Sequence, residues 1–290
     1  MTESVSIIGC GRMGISLAVF LSRAGYGING FSSRRILSAE AARAATGRGK
    51  VFASPLEAAR QGGVLFLTTP DNTIEAVCSA IDSQGGFQPG MVVFHCSGAL
   101  SSTILASAAR AGAHTGSLHP LQSFAEYTDG QSSPFKGINM SVEGDEIAVA
   151  LGTRMVKDLG ASAFTVPTRS KTLYHAAAVV ASNYLVTVEH AAMRLLGETG
   201  LDEAEAFRIL EPLIQGTLTN IRERGPTAAL TGPVARGDSE IIARHLTDIQ
   251  TLCPEFADFY KLLGKYTLAI ARARGGLDPG TLSELDRLLG

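Results

Sequence analysis

The chain has 290 residues, 45% hydrophobic and 18% charged, with a formal net charge of −2. This composition suits a compact protein with chain enough for two domains and a large core, and it excludes an intrinsically disordered one. The near-neutral balance and the lack of a Lys/Arg run give no footing for nucleic acid or a membrane surface.

Residues 5–8 are apolar and β-branched, as in a buried parallel strand. They run into Gly9-Cys10-Gly11-Arg12-Met13-Gly14, after which Met13, Leu17, Phe20 and Leu21 recur at helical spacing as far as Gly25. Strand, glycine turn and helix together make the context in which G-x-G-x-x-G binds a dinucleotide. Gly9 permits the turn, Gly11 admits a pyrophosphate to the backbone, and Gly14 lets helix and strand pack closely. The second strand, residues 27–31, ends where an NAD site places an acid for the ribose 2′-hydroxyl. Here the chain offers Ser32, Ser33, Arg34 and Arg35, two hydroxyls and two guanidinium groups suited to a phosphate dianion, so an NADP(H) site is expected.

A helix over 37–46 and a brief strand over 50–53 follow, and Ser54 caps a short helix begun by Pro55. Residues 63–69 read as a buried strand opening into a polar turn. Thr68, Thr69, Pro70 and Asn72 there are candidates to border the cofactor, with Asn72 or Thr73 equally suited to cap a helix over 74–81. Residues 91–95 form a strand ending at Ser97-Gly98, a candidate donor to substrate or nicotinamide, and Ser101 or Ser102 caps the next helix. Strands over 115–118, 138–142 and 163–166, with a helix over 147–159, complete a mostly parallel, doubly wound sheet of about eight strands. Beyond Pro167 only helical periodicities remain: residues 170–197, 202–224, 239–251, 254–274 and a short one from Pro279. The expected domains are residues 1–167, of Rossmann type, and 168–290, all-helical.

Cys10, Cys78, Cys96 and Cys253 show no CxxC spacing, so neither a disulfide framework nor a metal site is expected. The start, Met1-Thr2-Glu3-Ser4, lacks the basic and apolar regions of a secretory leader. Residues 176–188 are too few to span a bilayer, and a cytoplasmic location is expected.

A glycine turn near the first residue, a sheet of this length and one long helix opening a helical domain resemble the 6-phosphogluconate dehydrogenase-like superfamily. Gly116-Ser117-Leu118-His119-Pro120-Leu121, Tyr174-His175-Ala176-Ala177-Ala178 with Ala181-Ser182-Asn183-Tyr184, and residues 230–238 are similar to one of its subgroups. That subgroup joins a Rossmann-like domain to a helical domain of unassigned function, and its members are named as proposed NADP oxidoreductases. In several members of the superfamily the long helix begins Lys-x-x-x-Asn, with both side chains facing the nicotinamide. The resemblance therefore implies a role in proton transfer for Lys171 and for His175, which stands where the relatives have Asn.

The i, i+4 spacing puts Lys171 and His175 on one helix face, and Ser182 and Asn183 continue that stripe as candidates to orient a substrate. Lysine in a dry site, or histidine near its ordinary range, can donate the proton that carbonyl or imine reduction requires. His119 precedes Pro120, which restricts its backbone, and is a third candidate. Arg236, between glycine-bounded turns, suits a carboxylate or phosphate, and Asn220 interrupts a helix where Asn is a poor former. A long helix lined with small residues would find partners in a homodimer of interleaved helices. The expected activity is NADP(H)-dependent hydride transfer with a small carbonyl, imine or alcohol held between the domains. Two alternatives stand beside it: a non-catalytic NADP(H)-binding sensor or partner-binding module, and hydride exchange with a deazaflavin.

Overall fold

The computed structural model describes residues 3–290. Its strands are β1 (Ser4–Ile8), β2 (Gly27–Ser32), β3 (Lys50–Val51), β4 (Val64–Leu67), β5 (Val92–His95), β6 (His114–Pro120), β7 (Asn139–Gly144) and β8 (Ser162–Thr165). They form an eight-stranded sheet in the order β3-β2-β1-β4-β5-β6-β7-β8. Neighbours are parallel except at β6–β7, where Ser117 pairs with Glu143 and His119 with Ser141. The chain reverses its direction across the sheet between β1 and β4, which sets the crevice at the carboxyl ends of those strands.

Successive strand residues point to opposite faces, and each face has its own core. Ile7, Phe31, Phe66 and Phe94 pack on one side with Leu17 and Phe20 of α1 (Arg12–Arg23) and Met155 of α6 (Glu146–Asp158). Ile8, Leu65, Leu67 and Val93 pack on the other with Ile74 and Ile81 of α4 (Asp71–Asp82) and Ala108 of α5 (Ala106–Arg110). The intervening α2 (Ile36–Thr46) and α3 (Pro55–Ala59) flank the first strands. Each fully buried phenylalanine contributes about 1.5–3 kcal/mol of burial free energy.

After β8 the described residues contain no further strand. A single 3₁₀ turn leads into α7 (Lys171–Gly197), followed by α8 (Glu203–Ala229), α9 (Pro233–Arg236), α10 (Ser239–Leu252), α11 (Ala257–Arg274) and α12 (Pro279–Leu289). Asp202 and Glu205 close a capping box at the start of α8, and Gly225, at φ +74°, breaks that helix near its expected end. The chain divides into two compact units, Met1–Ala181 and Ser182–Gly290, so the opening turns of α7 count with the sheet. The core of the second unit gathers Val234, Ile242, Leu268, Ala271, Leu285 and Leu289.

Several local expectations change. Helix α4 starts at Asp71, so Asn72 and Thr73 lie in its first turn, and Thr73 Oγ1 donates back to the Pro70 carbonyl at 2.8 Å. Ser101 makes no side-chain cap, and Ser102 spends its hydroxyl on Glu143. Ser54 does cap α3, accepting from Glu57 N at 3.2 Å. No helix of the described residues is long and apolar enough to cross a membrane.

Candidate functional site

Gly9 adopts φ +100°, a conformation open to glycine, and its N–H donates to the Ser32 carbonyl at 2.8 Å. Thr68 Oγ1 donates to the Gly9 carbonyl at 2.5 Å, which ties the end of β4 to the turn. A Cβ on Gly14 would fall on that same carbonyl, whereas one on Gly11 would meet nothing within 4 Å. The turn is therefore rigid behind and open in front, at the N-terminus of α1, where free N–H groups favour a phosphate.

Beside it lies a cavity of about 660 Å³ lined by Cys10, Gly11, Arg12, Arg35 and Ser38, with Glu126 and Tyr127 from the segment after β6. The donor set suits an anionic ligand: two guanidinium groups, a hydroxyl and a glycine backbone. Arg12 stands 3.8 Å from the exposed Glu126 carboxylate. Arg23 donates to Tyr127 Oη at 3.1 Å and holds that segment over α1.

Of the four residues expected to meet a phosphate, Arg35 lines this cavity. Arg34 is exposed and Ser33 half-buried, and neither is among the lining residues. Ser32 departs from expectation. It closes β2 with 1% exposure, buried beneath the turn, and its carbonyl accepts from Gly9 N and from Cys10 Sγ. Burial pushes the Cys10 thiol up to about 12, which keeps it an inert packing group. Met13 packs against the core instead of the cavity. Thr69 Oγ1 is buried without a hydrogen-bond partner, and Pro70 and Asn72 are exposed at the strand end.

A second group of side chains collects under the opening turn of α7. The β6–β7 register puts Ser117, His119, Ser141 and Glu143 on one face. Lys171 is 1% exposed, and its Nζ donates to Ser117 Oγ at 2.9 Å and Ser141 Oγ at 3.2 Å. Glu143 accepts from Ser102 N (2.8 Å), Ser102 Oγ (2.7 Å), Ser117 Oγ (3.1 Å) and Thr168 Oγ1 (2.8 Å). Those bonds hold its carboxyl below the usual carboxylate range in spite of burial, which acts the other way and is the largest single influence. Burial likewise lowers Lys171 to about 8. Lys171 is thus enclosed, with two of its hydrogens committed to Ser117 and Ser141.

His119 and His175 lie at the edge of this cluster. His119 Nδ1 is 2.7 Å from Tyr174 Oη, and the two imidazole centroids are 6.1 Å apart. Both rings crowd Gly98, where a Cβ would come within 2.6 Å of His119 Nε2 and of His175 Cδ2. Gly98 is glycine because two side chains claim the space a third would need. Burial, then the Lys171 ammonium, push His119 down to about 4. Ser97 is committed to the turn: its hydroxyl donates to Asp71 Oδ2 at 2.7 Å and accepts from Ala99 N and Leu100 N. His95, 0% exposed, accepts from Ser97 N and serves as core.

The remaining candidates lie in the second unit. Ser182 and Asn183 are exposed. Asn220 lines a groove of about 490 Å³ with Pro212, Leu213 and Ile270. Arg236 is already engaged by Asp238, Nε to Oδ2 at 2.9 Å, which fills the fork expected to clamp an anion. No group of three or more His, Cys, Asp or Glu able to hold a metal occurs among the described residues.

Sequence reasoning missed Ser38, Glu143, Ser141 and the cavity-lining Tyr127. Glu143 carried a signal: a carboxylate in the otherwise apolar strand Met140-Ser141-Val142-Glu143 needs buried partners.

The sheet order and glycine turn define a Rossmann-like protein, and residues 2–120 match the model of a Rossmann-like domain. Residues 138–267 match a domain of unknown function, DUF2520. The chain thus joins a Rossmann-like match to a DUF2520 match, the pairing of domains found in the subgroup its motifs resemble. It is similar to protein TM1727 from Thermotoga maritima, with 27% identity, TM-score 0.71, and coverage of 93% of this chain and 98% of that one. It is also similar to BF3122 from Bacteroides fragilis, a proposed NADP oxidoreductase, with 22% identity, TM-score 0.70 and coverage of 93% and 98%. An imine reductase from Streptomyces aurantiacus shares the fold at 16% identity, TM-score 0.61, over 99% and 100% of the two chains. No curated protein matches.

Proposed function

We propose that the protein is an NADP(H)-dependent oxidoreductase acting on a small carbonyl, imine or alcohol. The observation that carries this reading is the cavity in which Arg35 and Ser38 adjoin the open Gly11 backbone. Arg35 and Ser38 would hold the adenosine-side phosphate, and Gly11 with the first amides of α1 the pyrophosphate. When bound, the cofactor supplies a hydride from nicotinamide C4 that makes the new C–H bond as the π pair moves to the substrate heteroatom, leaving oxidised nicotinamide. The likeness to BF3122 and to an imine reductase supports the same class.

His175 is the proton donor in this reading. It stands one turn beyond Lys171 on α7, half-buried at the rim, while Lys171 itself is enclosed. The homodimer suggested by the long helix gains support from the apolar side chains left exposed on α7 and α8, among them Tyr184, Val186, Ile209 and Leu213.

Fluorescence titration with NADPH and NADH tests the cofactor assignment. NADPH is expected to bind more tightly. Arg35→Ala is expected to weaken NADPH by about 10- to 100-fold, the worth of one charge-assisted contact, with little change for NADH. Equal affinity for the two cofactors, untouched by that substitution, would remove the assignment.

A further inference from the structure

The hydroxyls around Lys171 form a chain with one direction. An ammonium only donates, so Ser117 Oγ and Ser141 Oγ accept from Lys171 Nζ. Ser117 passes its own hydrogen to Glu143 Oε2. Ser141 keeps its own hydrogen free. The Lys171 ammonium also lies 5.3 Å from the Tyr174 ring centroid. A cation beside its ring makes the Tyr174 phenol the better donor of the pair, with its hydrogen directed to His119 Nδ1 at 2.7 Å. Nδ1 is then an acceptor, and the one proton of a neutral imidazole sits on Nε2. Among the described residues Nε2 has no hydrogen-bond partner, and it lies against Gly98 at the edge shared with His175.

We propose that Lys171 and Tyr174 are positioning residues that lock His119 as the Nε2–H tautomer, so that it offers a neutral N–H donor to a substrate oxygen and selects carbonyl compounds over iminium ions. The proposal rests on the oxidoreductase reading and narrows its substrate class. A fixed donor backed by a buried ammonium stabilises negative charge growing on a carbonyl oxygen and offers nothing to a cation. Glu143, buried and accepting two hydrogen bonds on each oxygen, has no free acceptor for an iminium N–H. Burial keeps the His119 ring neutral.

Two measurements test this. The imidazole ¹⁵N spectrum of the whole protein, with His119 assigned by His119→Gln, is expected to show the proton on Nε2. In Tyr174→Phe the same ring is expected to become a mixture of tautomers. A proton on Nδ1 in the wild type, or an unchanged tautomer in Tyr174→Phe, overturns the relay whatever the protein turns over. With NADPH, cyclopentanone is expected to be reduced at least tenfold faster than 1-pyrroline. Tyr174→Phe is expected to lower kcat on the ketone about tenfold with KM little changed. A preference for the imine with Nε2 protonated overturns the substrate class alone. NADPH binding without turnover of any ketone, aldehyde or imine, again with Nε2 protonated, overturns the oxidoreductase reading and the substrate class with it, leaving only the tautomer.

Discussion

The two units use their residues in opposite ways. In the sheet unit the central strands are buried on both faces, and even its internal Lys171 and Glu143 have found partners. In the helical unit the core is a handful of aliphatic side chains, while Phe207, Ile209, Leu213, Leu252, Leu262 and Tyr266 are each more than 40% exposed. Gly9, Gly14 and Gly98 would each drive a Cβ into a neighbour, whereas Gly197, Gly216 and Gly225 would meet nothing within 4 Å. The sheet unit encloses most of its apolar side chains, and α8, α10 and α11 leave many of theirs in the open.

The largest expected effect breaks the closed unit at its tightest point. Gly14→Val sets a branched side chain against the Gly9 carbonyl and Thr68 Oγ1, so either the turn or α1 must move. Loss of measurable NADPH binding is expected, with a markedly lower Tm. Gly216→Val in the helical unit faces open space, and its expected cost is about 1 kcal/mol or less. Similar losses in the two variants would show that the contrast between the units is not real.

The same contrast explains what was legible in the sequence. Apolar strands alternating with amphipathic helices announce themselves through period and punctuation, and residues 5–14 placed turn, strand and helix together. The eight strands and the change at Pro167 came from that local signal. Side-chain direction did not. Ser32 and Arg35 are equally plausible phosphate ligands by position, yet the pleat turned Ser32 under the turn and left Arg35 at the cavity. Lys171 was legible as a proton-transfer candidate but its enclosure was not, because the two hydroxyls that hold it lie 30 and 54 residues away in sequence. A pairing register brought them together, and no local periodicity encodes a register between β6 and β7.

A smaller effect concerns the imidazoles enclosed in the sheet unit. His95 is lowered from 6.5 to about 4, chiefly by burial, so the unfolded chain takes up its proton first as the pH falls. The stability tied to the neutral ring is whole above about 6.5 and is lost as the pH falls toward 4. For this fully buried residue the loss is on the order of 3 kcal/mol. Lys171, lowered to about 8 from 10.5, acts in the same direction at the alkaline end, adding stability as the pH rises through that window. His95→Asn is expected to flatten the dependence of urea-unfolding stability on pH between 6.5 and 4. A wild-type slope in that variant would mean that the ring is not held neutral by the core.

The open unit offers the mildest test, because a surface that waits for a partner tolerates change in the lone chain. Leu213 is 68% exposed at the rim of a groove whose other walls include Ile221 and Ile270. Leu213→Glu adds charge to water in a monomer and changes its stability little. In a two-fold dimer the substitution enters twice, and each copy forfeits about 1.5–3 kcal/mol of leucine burial if that face is covered. Sedimentation equilibrium is expected to find wild-type dimers, and a dimer dissociation constant at least 100-fold larger in the variant, with unfolding of the monomer unaltered. Wild-type monomers at high concentration would leave the apolar face without the partner that its composition calls for. A variant that dimerises as well as wild type would move the interface off α8, toward the exposed Val180, Tyr184 and Val186 of α7.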